Sequence, residues 1–393
     1  QASYRFRIDN RAGLYWYHAH PHGLTGRQVQ FGMAAPLLIV DDEESALRDT
    51  LDLGWCERDL PLFIADKQLD ARNAIVYRNG ADDWIGNRVL VNWTPEPTHE
   101  VLPALYRLRI ANACNARLLR LAFAHEGRLL PYHLIGTDGG LLARPWEIED
   151  VFLAPAQRID VLVDFSEVPP GGRVTMRSLD YVAMENEDES GAFVREPMGD
   201  HPGAVPMGAP LDIMQFCVAG CGGDTQPTVS RRARARIPDV LSSLPDPPDA
   251  RDWLVRKLRL SMDSEGMWFI NDHNFNRDGH APLFTVTRGS REVWEIRNSM
   301  TSMPHPMHVH GFQFRILSRS ISPQDVRARQ VAANGLGPQD LGLSDTVLVW
   351  PGEVVRIALD FAQSFRGTQR YMIHCHNLEH EGMGMMATFA VAD

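Results

Sequence analysis

The 393-residue sequence lacks the features that tie a protein to a membrane or to nucleic acid. It has no uninterrupted apolar run of the roughly 18 residues that a membrane-spanning helix needs. Lys and Arg number 39 against 50 Asp and Glu, and the formal net charge of -11 disfavours nucleic acid and anionic lipid as partners. The one basic cluster, at residues 231–236, opens a proline-containing stretch and is predicted to be a solvated linker.

Cysteine is scarce too, with five in the chain. Only Cys217 and Cys221 are close enough in sequence to form a small disulfide loop, and the sequence leaves open whether they do. Cys56 and Cys114 are predicted to be buried small apolar residues. The sequence begins at Gln1 without a charged and then apolar leader, so any export signal has been removed or was never part of it.

Sustained helical periodicity is also rare, and apolar residues instead alternate with polar ones over short stretches. Such stretches are residues 4–8, 106–110, 161–165, 293–296 and 354–359. The alternation predicts strands, and Gly, Pro, Asn and Asp separate them at the spacing of a β-sandwich, so we predict an all-β fold. Short helical turns are expected only near residues 112–121 and 361–367.

Composition divides the chain into domains. Residues 226–251, rich in proline, are predicted to link a domain at 46–225 to a C-terminal domain at 252–393. Residues 1–45 carry predicted strands and a histidine motif, yet a sandwich needs about 100 residues to close its core. We expect residues 1–45 to be the remnant of a first domain, of which roughly 60 to 100 preceding residues are absent from the sequence.

Four residues of the C-terminal domain form a candidate metal site. Cys375, His380 and Met385 stand close together in sequence, and His305 stands about seventy residues upstream of them. One thiolate, two imidazoles and a weak thioether are the ligand set of a blue electron-transfer copper.

Histidines on both sides of Cys375 indicate a second metal site. If residues 374–376 lie on a strand, Cys375 points to one face while His374 and His376 point to the other. One strand would then serve two metal centres. An electron accepted beside Cys375 would have a short, mostly covalent path to metals held by its two neighbours.

The same His-x-His spacing recurs at His18 and His20 and at His308 and His310. Alone, such a pair is a weak signal, because two histidines flanking one residue are more often incidental. Here 8 of the 15 histidines fall within three clusters, at residues 18–20, 305–310 and 374–380, which favours metal ligation.

These motifs resemble those of the three-domain multicopper oxidases, the group that includes laccases and bacterial cuprous oxidases. The resemblance covers essentially the whole chain and extends to four framework segments, residues 23–28, 112–117, 138–140 and 153–163. It implies tandem cupredoxin-like Greek-key β-sandwiches. It also implies copper as the cofactor, with a type 1 ion, a type 2 ion and a type 3 pair in the complete protein.

The resemblance assigns a metal to each motif. The type 1 copper would be held by His305, Cys375, His380 and, as axial ligand, Met385. Met383 and Met386 are rivals for the axial position, but the family's spacing favours the methionine ten residues after the cysteine. The type 2 copper would be bound by His308. The type 3 pair would be bound by His18, His20, His310, His374 and His376.

One departure concerns the number of histidine motifs. The family's trinuclear site uses four His-x-His elements, and this sequence has three. Of the ten histidine ligands that the family implies, eight are present, so the type 2 copper keeps only His308 and the type 3 pair lacks one ligand. Either the missing motif precedes Gln1 or the protein is a degenerate relative with a damaged cluster.

The implied reaction is the oxidation of four one-electron donor equivalents coupled to reduction of dioxygen to two waters. Glu381, which follows His380, resembles the family's proton-relaying acid, although a salt-bridged or solvated Glu would look the same in sequence. The resemblance implies a periplasmic or secreted enzyme whose partners are dioxygen and a small-molecule or metal-ion donor. The oligomeric state is not readable from the sequence.

The donor depends on what covers the type 1 copper. Residues 260–263 and 345–347 resemble stretches near the substrate site of cuprous oxidases, so Met262 and Asp345 are tentative substrate residues. The methionine-rich insert of those enzymes is missing, and we therefore predict an open edge at His305 and laccase-like oxidation of phenolic or aromatic donors. Cuprous oxidation is the first alternative. A copper-depleted scaffold protein is the alternative from another class, and the doubled histidines disfavour a two-domain nitrite reductase.

Overall fold

The computed structural model describes residues 3, 5–78, 80, 82–183, 186–187, 193–194, 203–219 and 236–393. Strands dominate these residues, so the all-β prediction is confirmed. The helices within them are short: α1 Thr25–Gln30, α2 Asp42–Thr50, α3 Phe275–Asp278, α4 Gln324–Arg327, α5 Leu378–Gly382 and a 3-10 turn at Pro338–Asp340. Among these residues, no helix is long and apolar enough to cross a membrane.

The N-terminal part is a hairpin rather than a sandwich. Strands β1 (Gly13–His18) and β2 (Ala34–Ile39) pair antiparallel, with Gly13 opposite Ile39 and His18 opposite Ala34. Helix α1 lies between them in the chain, and α2 follows β2. The cap of α2 is local, because the side chain of Asp41 accepts the backbone N–H of Glu44 at 2.9 Å.

A sandwich of two larger sheets follows. Its strands are β3 Asp59–Lys67, β4 Arg88–Val91, β5 Thr94–Pro95, β6 Thr98–Val101, β7 Leu105–Asn112, β8 Leu119–His125, β9 Arg128–Leu129, β10 Tyr132–Thr137, β11 Gly140–Ile148, β12 Asp150–Leu153, β13 Arg158–Asp164, β14 Arg173–Ser178, β15 Asn186–Glu187, β16 Phe193–Val194 and β17 Leu211–Val218. One sheet has the order β11-β10-β13-β7-β3-β4-β5 and the other β12-β8-β14-β17-β6, with β9 paired to β8. Strands β15 and β16 pair with each other in a separate two-stranded sheet. The facing side chains of the two larger sheets, among them Leu108 and Phe123, form one buried core.

The C-terminal part is a second sandwich. Its strands are β18 Leu254–Met262, β19 Trp268–Ile270, β20 Pro282–Thr287, β21 Arg291–Asn298, β22 His305–Val309, β23 Phe314–Ser320, β24 Leu343–Ser344, β25 Thr346–Val349, β26 Val354–Asp360, β27 Gln369–Cys375 and β28 Met386–Ala392. One sheet has the order β19-β18-β21-β26-β23-β24 and the other β20-β28-β27-β22-β25. The second sheet places β22 beside β27, and this pairing positions the metal motifs.

Several local predictions fail. Residues 5–8 form no strand, and residue 4 lies outside the described residues. Residues 112–121 are not helical, because the side chain of Asn112 donates to the carbonyls of Arg117 and Leu153 and holds an irregular loop before β8. Residues 361–367 are also irregular. There the carboxylate of Asp360 accepts the N–H of Ala362, so the chain turns after β26 instead of starting a helix.

The predicted linker is partly packed. Residues 226–235, with most of the basic cluster, lie outside the described residues. Leu241 and Leu244 are buried, and the N–H of Leu241 donates to the carbonyl of Ala143 at 2.9 Å. The segment therefore lies against the middle sandwich, because Leu241 buries apolar surface there beside Leu141 and Leu162.

The cysteine predictions have different outcomes. Cys114 is buried as predicted. The prediction for Cys56 is wrong, because this residue is exposed and adopts a positive φ of 59° in a turn. Cys217 carries a free thiol, and its proposed partner Cys221 lies outside the described residues.

Buried charges join α2 to the middle sandwich. Glu44 accepts from Arg107 at 2.7 Å and also pairs with Arg109, whose Nε donates to Asp59 at 2.6 Å. All four side chains are buried. Removing one charge from such a cluster costs far more than removing a surface pair, because its partners stay desolvated.

Candidate metal centres

Cys375 and two histidines converge inside the C-terminal sandwich. Cys375 Sγ lies 3.5 Å from His305 Nδ1 and 3.6 Å from His380 Nδ1, and the two nitrogens are 3.2 Å apart. All three side chains are fully buried. We call this group, together with Met385, the Cys375 pocket.

Local structure fixes these donors. His305 begins β22 and Cys375 ends β27, and the register of the two strands places Met307 opposite Cys375. His380 lies on α5, whose N-cap Asn377 accepts two backbone N–H groups of the first turn. The backbone N–H of Asn377 also points to Cys375 Sγ at 3.4 Å. The capped helix therefore holds His380 against the thiol.

Each ring presents Nδ1 to the thiol because its other nitrogen is engaged elsewhere. Ser302 Oγ lies 2.8 Å from His305 Nε2, and Asn377 Nδ2 lies 3.2 Å from His380 Nε2, with Asp82 Oδ1 at 3.6 Å. Polar groups beside one ring nitrogen orient the ring and leave the opposite nitrogen for a metal.

The position of Met385 favours it over the neighbouring methionines. Met386 pairs directly with His374 across β27 and β28, so their side chains share a face. Met385 precedes it by one residue, and it belongs to the same buried cluster as Cys375. Its backbone also accepts from Cys375 N–H at 3.0 Å. Met383 caps the end of α5 and is only partly buried.

The electrostatics of the Cys375 pocket fit a metal cation. Desolvation lowers the pKa of His305 to about 3 and that of His380 well below its ordinary value, so both rings are neutral and able to ligate. Burial raises the pKa of the Cys375 thiol well above its usual range. A thiolate there needs a cation beside it, and a thiolate with two imidazoles and a thioether suits copper.

Six further histidines meet on the opposite face of the same strands. They are His18, His20, His308, His310, His374 and His376, here called the six-histidine pocket. Neighbouring ring centroids lie between 5.0 Å and 5.7 Å apart. The register of β22 and β27 places His308 directly opposite His374. Strand β27 ends at Cys375, so His376 lies one residue beyond it, but His374 and His376 both lie in the six-histidine pocket while Cys375 lies in the other.

Three of the six form a compact donor group. His374 Nε2 lies 2.9 Å from His310 Nε2 and 3.5 Å from His20 Nε2. The remaining nitrogen of His374, Nδ1, lies 2.9 Å from the carbonyl of Cys375. That contact leaves Nε2 as the atom that faces the other two rings. The three nitrogens can therefore serve one metal ion.

The other three are arranged more loosely. His18 Nδ1 contacts the carbonyl of Ala19, and His308 Nδ1 contacts that of Asp345, both at 2.9 Å. His376 Nδ1 is buried and has no hydrogen-bond partner among the described residues. Desolvation lowers the pKa of His18 to about 4 and that of His376 well below its ordinary value. Neutral imidazoles with a buried, unpaired nitrogen fit a metal-binding role.

Glu381 lies beside the six-histidine pocket and is fully buried. Its Oε1 accepts from Thr25 Oγ1 at 2.7 Å and lies 3.6 Å from His20 Nδ1, while Oε2 lies 3.9 Å from His374 Nδ1. Desolvation raises the pKa of this carboxyl to about 8. The side chain thus stands where a proton could pass between α1 and the histidines.

The two tentative substrate residues lie near different pockets in the structure. Met262 ends β18, is 43% exposed, and pairs across the sheet with Trp268 near the Cys375 pocket. Asp345 instead lies at the other pocket, with its side chain 16% exposed. Its carboxylate receives hydrogen bonds of 2.6 and 2.8 Å from Arg158 and lies 3.6 Å from His308 Nδ1. The tentative substrate role of Asp345 stays a prediction, and the structure places this residue beside His308 rather than at the Cys375 pocket.

The open edge predicted at His305 is also wrong. His305 and His380 are both fully buried, and the indole of Trp268 lies over them with centroid distances of 4.8 and 4.5 Å. The Nε1–H of Trp268 donates to Asp82 Oδ1 at 3.0 Å. The missing insert does not expose the rings, because Trp268 takes the covering position.

Sequence reasoning missed two residues that hold the pockets together. Glu379 accepts from Asn115 at 2.8 Å and from Tyr77 at 3.0 Å, and desolvation raises its pKa to about 7. The alternation Glu379-His380-Glu381 was its only sequence signal. Arg158 falls in a framework segment to which the resemblance gave no chemical role, and no local pattern connects it with Asp345.

A buried thiol and imidazole groups carried on tandem β-sandwiches define a class of redox metalloproteins. Multicopper oxidase family models match residues 1–44 and 254–393. The chain is 30% identical over 99% of its length to a laccase of Bacillus subtilis, of which it covers 72%. It is 30% identical over 98% of its length to a bilirubin oxidase of Albifimbria verrucaria, of which it covers 62%.

A solved structure agrees with these relatives. The crystal structure of the 2F4 variant of McoA multicopper oxidase from Aquifex aeolicus matches with a TM-score of 0.84 and 34% identity, over 99% of this chain and 78% of that one. The chain therefore belongs to the multicopper oxidase family, and it is an oxidoreductase that uses dioxygen as acceptor.

Proposed function

We propose that the chain is a laccase-like oxidase in which the Cys375 pocket accepts electrons and the six-histidine pocket reduces dioxygen. Four one-electron donor oxidations would supply the four electrons that, with four protons, turn one dioxygen into two waters. One observation carries this proposal: the two pockets lie back to back. Cys375 of one pocket is bonded in the chain to His374 and His376 of the other.

The proposed ligands divide between the pockets. When bound, copper would supply one-electron redox chemistry at the Cys375 pocket and four-electron chemistry at the other. The type 1 ion would be held by His305, Cys375, His380 and Met385. The type 2 ion would be held by His308, and the type 3 pair by His18, His20, His310, His374 and His376. Full burial of the Cys375 pocket excludes water from the electron-accepting site.

We assign the movement of protons to Glu381. Its Oε1 contacts both Thr25 and the ring of His20, so the carboxyl bridges α1 and the six-histidine pocket. Glu381→Gln keeps the shape and removes the transferable carboxyl proton. We expect this variant to consume dioxygen slowly while retaining the blue absorption of the Cys375 pocket.

The donor would approach through Trp268 and Asp82, because the histidine rings themselves are covered. The Asp82 side chain is 49% exposed and can accept the O–H of a phenol, while the indole edge lies against the ligand rings. This supports phenolic and aromatic donors as the substrate class.

One observation favours Cu(I) as a second candidate donor. The thioether of Met262 is exposed on the strand position paired with Trp268, and thioethers suit Cu(I). Saturable oxidation of Cu(I) that Met262→Ala abolishes, without loss of phenol oxidation in that variant, would establish a cuprous oxidase instead.

Copper content and dioxygen uptake test the main proposal together. The purified chain is loaded with copper, the bound ions are counted, and dioxygen consumption is measured with a phenolic donor. About four ions per chain with turnover supports the complete oxidase. One ion and a blue, inactive protein would limit this chain to electron capture. A colourless, copper-free protein would overturn the proposal and favour a scaffold.

We further propose three units in the chain: 1–45 as part of a first cupredoxin domain, 46–225 as the second, and 252–393 as the third, with 226–251 as linker. The separate sandwiches at residues 59–218 and 254–392 support this division. Limited proteolysis should release fragments that correspond to these bounds. We also propose a periplasmic or secreted location, which fractionation of the native source would test.

A further inference from the structure

Two exposed histidines from distant parts of the chain meet beside the six-histidine pocket. His22 follows His20 by two residues, and His280 follows α3 in the C-terminal sandwich. Their ring centroids lie 6.1 Å apart with an interplanar angle of 70°. Both side chains are exposed. Within the described part of the chain, none of the nitrogens of the two rings has a hydrogen-bond or ion-pair partner.

A buried aromatic ring holds this pair in place. Phe275 stacks on His280 with centroids 4.3 Å apart and only 8° between the ring planes. The same ring meets His22 edge-on at 5.1 Å. Because Phe275 is itself buried, it gives the two exposed imidazoles a fixed wall and limits their rotamers. A ligand that binds both rings therefore has less side-chain entropy to overcome.

The separation of the rings suits a shared metal ion. In the neighbouring donor group, centroids of rings facing one point lie 5.0 Å apart for His310 and His374, and 5.3 Å apart for His20 and His310. The His22–His280 centroid distance is larger, and with one nitrogen of each ring about 2 Å from a shared ion it would place the two nitrogens on nearly opposite sides of that ion. Cu(I) accepts two nitrogen ligands in a nearly linear arrangement, whereas Zn²⁺ in proteins is almost always four-coordinate.

We propose that His22 and His280 form a surface site that captures Cu(I) and delivers it to the adjoining six-histidine pocket. Transfer is a ligand exchange from exposed imidazoles to the more buried His20 group, and copper keeps its oxidation state throughout. The route is short because His22 and His20 are separated by Pro21 alone. Capture itself does not depend on the oxidase function proposed above.

Anaerobic titration of the metal-free chain tests the capture site. Cu(I) is added in competition with a chromophoric chelator to the wild type, His22→Ala, His280→Ala and the double variant. His133→Ala, which removes a partly exposed histidine of the middle sandwich, is the matched control. We expect the wild type and the control to bind one more ion than the double variant, and each single variant to lose affinity at that site about tenfold or more. Equal stoichiometry and affinity in the wild type and the double variant would overturn the site.

Loading kinetics test the delivery step. At limiting Cu(I), the double variant should fill the six-histidine pocket about tenfold more slowly than the wild type. Excess Cu(I) should bring the six-histidine pocket of both proteins to the same final copper content. Unchanged loading rates would refute delivery. Thermal unfolding of each variant checks that the hairpin still packs against α3. Because no dioxygen is present, no turnover takes place, and failure of the oxidase proposal would leave these results unaffected.

Discussion

The Cys375 pocket and the six-histidine pocket share strand β27 but are assembled differently. The first takes all its residues from the C-terminal sandwich, and all are fully buried. The second combines that sandwich with the N-terminal hairpin. His18, His20, His308 and His310 are only partly buried there.

This difference shows which contacts hold each pocket together. Strand pairing and one capped helix suffice to set the Cys375 pocket, because its donors stand on neighbouring elements of one core. The six-histidine pocket depends in addition on contacts between units. Among these are the pairing of Arg158 with Asp345 and the hydrogen bond from Thr25 to Glu381. Changes at the junctions should therefore harm one pocket and leave the other intact.

Cys375→Ser should have the largest effect. A serine hydroxyl cannot replace the soft thiolate, so we expect the blue absorption to vanish and dioxygen consumption to fall to background. The six-histidine pocket should keep its copper, because its donors lie on the opposite face. Metal counting together with visible spectroscopy measures both effects. Cys56→Ser, at an exposed thiol, is the control and should remain blue and active.

His310→Ala should have the opposite effect, because it should disable the six-histidine pocket and leave the Cys375 pocket intact. Loss of this ring breaks the three-nitrogen group with His20 and His374, and we expect dioxygen consumption to fall more than about 100-fold, since even outer partners of metal ligands cost 10- to 100-fold. The blue absorption should persist, because His310 does not contact Cys375. Loss of both signals in this variant would show that the pockets are not independently assembled. His99→Ala in the middle sandwich serves as the control.

The same contrast explains what the sequence alone could predict. Alternation around Cys375 depends only on the period of a strand, so the division of histidines between two faces was predictable. Strands β7, β13, β21 and β26 were predictable for the same reason. Helix α2 was not predicted, although Asp41 and Glu44 form a local capping signal before it.

Contacts between distant segments could not be predicted in this way. The covering of His380 by Trp268 depends on how β19 meets α5, and the role of Asp345 depends on Arg158 in another unit. No local pattern connects either pair. The prediction of an open edge failed because the absence of an insert says nothing about which side chain takes its place.

Arg158→Lys tests the junction between the hairpin and the two sandwiches. Its guanidinium donates to both oxygens of Asp345 and to the carbonyl of Leu14 at 3.0 Å, so it joins all three parts of the chain. A lysine keeps the charge but lacks the planar fork. Breaking such a buried pair costs roughly 3–5 kcal/mol. Denaturant unfolding should therefore show that the free energy of unfolding falls by up to about that amount.

In the Arg158→Lys variant, the six-histidine pocket should change while the Cys375 pocket stays as it is in the wild type. His308 should lose its fixed orientation because Asp345 is no longer held, while the blue absorption stays unchanged. Arg173→Lys, at an exposed arginine bonded to Gln215, is the control for stability. A variant as stable as this control would mean that Arg158 contributes little to the junction.

Lys67→Met should have the smallest effect and shows how a buried charge acts at the junction. Lys67 Nζ donates to the carbonyl of Val29 in α1 at 3.0 Å, and desolvation lowers the pKa of Lys67 to about 8 from 10.5. Between these values the unfolded chain binds a proton that the folded chain does not, so stability should rise with pH. The full rise is roughly 3 kcal/mol at about 1.4 kcal/mol per pKa unit.

The methionine variant removes this rise but also leaves the Val29 carbonyl without its donor, which costs about 1–3 kcal/mol. Urea unfolding of the metal-free wild type and variant, from just below pH 8 to pH 10.5, should therefore give a stability difference that widens in favour of the wild type as pH increases. Lys257→Met, at an exposed lysine, should show no such trend. Parallel curves for the wild type and Lys67→Met would mean that Lys67 keeps its ordinary pKa, and that α1 is held to the middle sandwich by a charged rather than a neutral donor.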